Sequence, residues 1–161
     1  MKRRAALEVL TSMAMPLIWS RSQAHEADAK RISISDEEWY DRLTYLQYSI
    51  LVLGETEEPG SSDLINENRS GIYQCVGCNL DLFRSEWKYN DNSGWLSFRD
   101  VIPAHVEEIR IGLSAIGPAE YRCARCGGHH GHVNNDGPEP TGKRYSNNGA
   151  VLVFVPDRDS R

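Results

Sequence analysis

Thiols, cationic excess and long apolar runs are all scarce in this chain, and each scarcity narrows what it can be. Only four cysteines occur, Cys75, Cys78, Cys123 and Cys126, and two Cys-x-x-Cys pairs use all of them. No thiol is left over for nucleophilic catalysis or redox sensing. The formal net charge is −5; residues 1–24 carry four basic side chains and one acid, so without them the remainder stands at −8. An acidic domain with no basic stripe has little to offer a phosphate backbone, and nucleic acid is not an expected partner. No apolar stretch approaches the roughly 20 residues that span a bilayer. Internal repeats and helix–strand alternation are missing too, which argues against a parallel sheet. What is left, 161 residues with 40% hydrophobic and 25% charged side chains, is the composition of one globular domain with a core of its own.

Residues 1–24, MKRRAALEVLTSMAMPLIWSRSQA, run from a basic start through a short apolar middle to small residues at Ser22-Gln23-Ala24. That order predicts a secretory signal cleaved after Ala24. Arg3-Arg4 followed by Leu7 resembles a twin-arginine export signal. The expected location is periplasmic, with no membrane association once the signal is removed, and cytoplasmic if the signal is silent. Glu8 and Pro16 interrupt the apolar segment, and a frayed amphipathic helix is the competing reading. Residues 25–34 are polar and mixed in charge and read as a linker, leaving 35–161 as the folded domain.

Ser35-Asp-Glu-Glu38 has the pattern of a helix-capping box, in which Ser35 accepts from the amide three residues on while Glu38 reaches back. Trp39 and Leu43, four apart, give that helix an inward face. Thr44-Tyr-Leu-Gln47 repeats the box and predicts a second short helix from Tyr45 to about Leu53, ended by Gly54. Residues 55–71 are polar and rich in turn formers, which predicts a long surface loop. From Gly71 onward strand patterns dominate: 71–75, the Leu80, Leu82 and Phe83 group, 93–98 and 106–113. Residues 150–155 form an almost wholly apolar run between Gly149 and Pro156, expected as a buried strand. The expected fold class is mainly β and antiparallel, with short helices at the N-terminal end.

Two Cys-x-x-Cys pairs separated by 44 residues are spaced as metal knuckles. Tetrahedral Zn(II) takes four soft ligands, so Cys75, Cys78, Cys123 and Cys126 would close a structural site and leave no open position for catalysis. Two disulfides are the other use of four cysteines. His129 and His132 flank Gly131 just beyond the second knuckle. With zinc already satisfied by thiolates, the histidines read as part of a polar pocket, or as ordinary hydrogen-bonded side chains. The sequence places no acid beside either of them.

Several motifs together carry a resemblance. They are Gly71-Ile-Tyr-x-Cys75-x-x-Cys78, Leu82-Phe83-x-Ser85 and Gly94-Trp95-x-Ser97-Phe98, followed by Cys123-x-x-Cys126-Gly127-x-His129-x-Gly131-His132-Val133. Asp136-Gly137-Pro138-x-Pro140-Thr141-Gly142-x-Arg144-Tyr145 completes the set. Over roughly residues 36–156 the chain resembles the B-type methionine sulfoxide reductases, which act on the R epimer of methionine sulfoxide. The resemblance implies two antiparallel sheets in a β-tent, with the four cysteines on structural zinc. It implies that Trp95 packs against the sulfoxide methyl (a core tryptophan being the plainer reading), that His129 and His132 hold or protonate the sulfoxide oxygen, and that Asn148 completes the polar wall. The implied partners are methionine-R-sulfoxide, in proteins or free, and a thioredoxin-like reductant if the protein is active.

At one position the chain departs from the pattern in a way that bears on mechanism. Where the family pattern carries a cysteine or selenocysteine nucleophile, this chain has Ser146, and Ser93 stands where some relatives carry a recycling cysteine. Leu96, His130, Asn134, Asn147 and Gly149 are further departures, expected to make the pocket more polar. Three readings stay open: a reductase of weak or lost activity, a zinc-braced module that binds a small polar ligand without turning it over, and a hydrolase using Ser146 with His129 or His132.

Overall fold

The computed structural model describes residues 29–110 and 117–158. The expected export signal at 1–24, the start of the linker and the far end of the 106–113 strand lie outside the described residues. Among those described, no helix is long and apolar enough to cross a membrane.

Both capping boxes form. Ser35 Oγ accepts from the Glu38 amide at 3.3 Å while the Ser35 amide donates to Glu38 at 2.9 Å, opening helix α1 (Asp36–Arg42). Thr44 and Gln47 repeat the exchange at 3.3 and 3.0 Å to open α2 (Tyr45–Leu51), which ends two residues before the predicted Leu53. Seven-residue helices are too short to stand alone in water. Burial of Trp39, Leu43, Tyr48, Ile50 and Leu51 holds these two in place. Their landing site is the pair of cysteine knuckles. A Cβ at Gly77 would lie 2.7 Å from the Trp39 ring and 2.8 Å from Leu51, and one at Gly128 would lie 2.5 Å from Leu51, so the helices sit directly on both turns. Residues 31 and 32, at the end of the expected linker, also dock there. The Ile32 amide donates to the Arg125 carbonyl at 2.8 Å and Arg31 donates to the Ala124 carbonyl at 3.1 Å.

The rest is mainly β, in two antiparallel sheets, as expected. One has the order β2-β1-β9, with β1 Gly71–Cys75, β2 Asp81–Arg84 and β9 Leu152–Pro156. The other has the order β3-β4-β8-β7-β6-β5, with β3 Lys88–Tyr89, β4 Leu96–Phe98, β5 Val106–Ile109, β6 Ala119–Cys123, β7 His129–Asn134 and β8 Arg144–Asn147. Aromatic rings stitch the two together: Phe83 of β2 stacks on Phe98 of β4 at 4.2 Å, and Tyr73 of β1 meets Phe98 edge-on at 5.0 Å. Each such pair contributes about 0.5–1.5 kcal/mol beyond the apolar area it removes from water.

Two expectations are corrected. The apolar run at 150–155 is not a buried strand. Gly149–Val151 forms a 3-10 turn, and β9 is an edge strand with Val153 and Val155 each 40% exposed. Val151 in the turn is fully buried, and within β9 only Leu152 and the face carrying Phe154, which packs on Tyr73 at 4.9 Å, turn inward. Nor is 55–71 simply a surface loop. Asp63–Asn66 forms a 3-10 turn capped by Ser62, Lys88 Nζ donates to the Ile65 and Glu67 carbonyls at 2.6 and 2.7 Å, and Glu57 is buried.

Candidate metal centre and active-site pocket

The two knuckles are the same turn made twice, each between paired strands. After Cys75 the Asn79 amide returns to the Cys75 carbonyl at 2.8 Å; after Cys123 the Gly127 amide returns to the Cys123 carbonyl at 2.8 Å. The returning residue is left-handed in both, with φ of 57° and 77°. This brings the four sulfur atoms within 4.8 Å of one another, with Cys75–Cys126 at 3.6 Å and Cys78–Cys123 at 3.5 Å. All four are free thiols, and a disulfide needs an S–S distance of about 2.05 Å, so the two-disulfide reading does not describe this site. A tetrahedron of sulfurs about 2.3 Å from a central zinc has edges of about 3.8 Å, and the cluster fits that shape. The four cysteines can hold one metal ion and leave it no vacant position.

The second site lies on the face of the six-stranded sheet where β4, β8, β7 and β6 run side by side. Opposite residues in antiparallel strands share a face. Ser97 opposes Ser146, Ser146 opposes His132, and His132 opposes Glu120, so a row of polar side chains crosses four strands. His129 joins the row through an irregularity. In a regular strand residues three apart point to opposite faces. Here Tyr121 pairs with Gly131 and Arg122 with His129, so β7 spends one extra residue, a β-bulge. The bulge returns His129 to the face of His132, with ring centroids 5.6 Å apart. Gly131 is required beside it, because a Cβ there would lie 2.0 Å from the Ser146 carbonyl oxygen.

Trp95, His132, Asn134, Ser146 and Asn148, with Thr56 and Asn147, line a cavity of about 200 Å³. That volume suits a single side chain rather than a drug-sized ligand. Of the residues singled out in sequence, Trp95, His132, Ser146 and Asn148 therefore meet at one cavity. His129 is 4% exposed and stands beside it, behind His132. Its Nδ1 lies 2.9 Å from Glu120 Oε1, and Glu120 is itself held by Arg122 at 2.6 and 3.2 Å. Burial pushes the His129 imidazole below its ordinary pKa, against the opposing pull of the Glu120 hydrogen bond. Histidine thus does have an orienting acid here, one that only the pairing of β6 with β7 reveals.

The departures from the family pattern separate by strand face. Asn134 lines the cavity, but His130 does not make the pocket more polar. It is fully buried behind the strand with its ring parallel to that of Tyr121, and burial pushes its pKa down to about 3. Gly149 has no room for a side chain, since a Cβ would lie 2.1 Å from Ser62 Oγ. Arg144 clamps Asp136 with two bonds of 2.9 Å and Asp91 with one of 3.0 Å, and the Tyr145 hydroxyl donates to Glu108 at 3.0 Å. Both serve the framework around Ser146. Ser93 Oγ donates to Asp91 at 2.7 Å and accepts from the Trp95 amide at 3.3 Å, shaping the turn that delivers Trp95.

Glu57 is the second residue that sequence reasoning missed. Its amide donates to Asn148 Oδ1 at 3.0 Å, its carbonyl accepts from Trp95 Nε1 at 3.3 Å, and its carboxyl oxygens accept from the Gly149 and Ala150 amides at 2.7 and 2.9 Å. Asn148 Nδ2 also donates to the His130 carbonyl at 3.0 Å.

Residues 43–156 match the SelR domain family. The chain is 43% identical over 132 residues to the Peptide methionine sulfoxide reductase MsrB of Leifsonia xyli, covering 79% of this chain and 93% of that protein. It is 42% identical over 127 residues to the protein of the same name from Agrobacterium fabrum, covering 78% and 94%. Against Methionine-R-sulfoxide reductase B3, mitochondrial, of Mus musculus, identity is 40% over 127 residues, 78% of this chain and 50% of that one. The matched span takes in both cysteine knuckles, the bulged histidine strand and every residue lining the cavity, and the chain belongs to the methionine-R-sulfoxide reductase B family.

Proposed function

We propose that this protein recognises methionine-R-sulfoxide, in proteins or as the free amino acid, in the cavity between Trp95, His132, Ser146 and Asn148, and that thiol-dependent reduction there is absent or very weak. Family membership supports the substrate class. One observation carries the second half: all four cysteines of the chain are gathered in one cluster, and the cavity offers the Ser146 hydroxyl where the family pattern implies cysteine or selenocysteine. A thiolate that attacks the sulfoxide sulfur takes the oxygen as a sulfenic acid while the thioether leaves. A second thiol then condenses with it, releasing water and leaving a disulfide for a thioredoxin-like reductant to reopen. The same oxygen passed to serine would have to become a hydroperoxide, with no comparable route back. A hydrolase reading gains an oriented base from Glu120 and His129. His129 does not border the cavity, however, and labelling of Ser146 by a fluorophosphonate would be needed to sustain that reading.

The test is a dithiothreitol-driven assay on an R-sulfoxide substrate with the natural protein and with Ser146→Cys. Turnover is expected only in the cysteine variant. Robust turnover by the natural protein overturns the loss of thiol chemistry and leaves an active peptide-methionine (R)-S-oxide reductase. Zinc held by Cys75, Cys78, Cys123 and Cys126 belongs to the same proposal, as a structural ion. Export through residues 1–24 does too, and an N-terminus beginning at His25 in secreted or periplasmic material would support it.

A further inference from the structure

We propose that Glu57 is the positioning residue of the pocket: through one buried side chain it fixes the tryptophan wall and the asparagine wall together. The inference rests on the cavity being the sulfoxide site. Glu57 is 4% exposed, so its carboxyl group is not presented to a ligand. Its two oxygens are spent on consecutive amides, Gly149 at 2.7 Å and Ala150 at 2.9 Å, which open the turn immediately after Asn148. Those bonds anchor a loop that is more than 90 residues away in sequence. With the loop anchored, the Glu57 backbone presents its N–H to Asn148 Oδ1 and its carbonyl to Trp95 Nε1. A further bond, Gly60 N–H to the Gly94 carbonyl at 2.7 Å, ties the same loop beside Trp95. Thr56, one residue before, lines the cavity.

The consequence is a coupling. Trp95 has one polar atom and Asn148 four hydrogen-bonding positions, and the backbone of a single residue engages both. Releasing the carboxyl anchor lets that backbone move, and the indole wall and the amide wall lose their reference at the same time. A slot that must distinguish a methyl group from an oxygen on one sulfur depends on the spacing of its opposite walls. Glu57 therefore sets specificity without touching substrate.

The experiment uses the full-length natural protein and Glu57→Gln, labelled with 5-fluorotryptophan, the Trp95 signal being assigned by Trp95→Phe. Glu57→Gln keeps size and one acceptor but turns its carboxamide NH2, a donor, toward a backbone N–H. The ligand-free Trp95 resonance is expected to shift while those of Trp19, Trp39 and Trp87 stay, and binding of N-acetyl-methionine-R-sulfoxide amide is expected to weaken about tenfold, as for loss of one charge-assisted bond. An unmoved Trp95 resonance with unchanged binding overturns the proposal. If Glu57→Gln does not fold, the natural protein decides: on probe addition the Gly149 and Ala150 amide signals should move with Trp95, and amides that stay fixed while Trp95 moves overturn the coupling. Failure of the natural protein to bind the probe removes the sulfoxide reading, and the ligand-free resonances still decide the role of Glu57.

Discussion

At the scale of single residues, the most unusual side chain is His130. Its ring is fully buried, and the polar groups beside it are the side chains of Asn147 and Tyr121, themselves buried. Such groups cost roughly 1–3 kcal/mol each when unsatisfied. Burial holds the imidazole neutral down to about pH 3, whereas in the unfolded chain it protonates near 6.5. Between those values the unfolded state binds the extra proton. The stability that His130 permits is therefore fully present above about pH 6.5 and is lost as pH falls toward 3. His129, also lowered by burial, slopes the same way. The clamped carboxylates Asp91, Glu108, Glu120 and Asp136 are lowered too, and they add their losses only below the ordinary carboxylate range. Urea midpoints should fall from pH 7 to pH 4.5 in the natural protein. His130→Leu should flatten most of that slope, and an unchanged slope would count against a buried neutral imidazole.

At the scale of elements, helix α2 is a wedge between the two knuckles. Leu51 is 2% exposed and reaches both Gly77 and Gly128, so its side chain fills the space where the turns approach each other. Leu51→Ala should cost about 2–5 kcal/mol by removing buried methyl groups and leaving a cavity. Because the cavity opens beside the cysteines, metal retention against a competing chelator should fall in the same variant. Normal retention with reduced stability would show the wedge to be packing alone. Elements of this kind were legible in the sequence where their signals are local. Ser35 with Glu38, Thr44 with Gln47, and the paired cysteines each declare themselves within four residues. Glu120 and Glu57 were not legible, because what makes them matter is a partner across a strand pair or more than 90 residues away. The bulge in β7 was hidden for the same reason: three-residue spacing of His129 and His132 gives one face only after a register shift that Gly131 permits. The apolar run at 150–155 misled because hydrophobicity reports an inward preference and not whether a strand lies at a sheet's edge.

For the whole molecule, the cysteine cluster is where the parts converge. Cys75 ends β1 in the three-stranded sheet, and Cys123 ends β6 in the six-stranded sheet. Each sheet therefore supplies one knuckle, and the helices close over both. The aromatic contacts are another tie between the sheets: Phe98 meets Phe83 and Tyr73, and Phe83 also meets Tyr121 of β6 and Tyr145 of β8. Metal binding in such a site is part of folding rather than an addition to it, since the unfolded chain offers no preformed tetrahedron. Removing a bound ion would leave four thiols packed within 4.8 Å, two of them buried and two half-buried, where disulfide formation or expansion relieves them. Exhaustive chelation should release one equivalent of zinc, lower the thermal midpoint sharply and loosen the β7–β8 face that carries His132 and Ser146. Single Cys78→Ser and Cys123→Ser variants should each lose the ion, and the double variant should be little worse than either, because the four ligands act as one unit. Metal analysis together with thermal unfolding checks this. Additive losses across the two knuckles, or a midpoint indifferent to chelation, would mean that the sheets are joined without help from the metal.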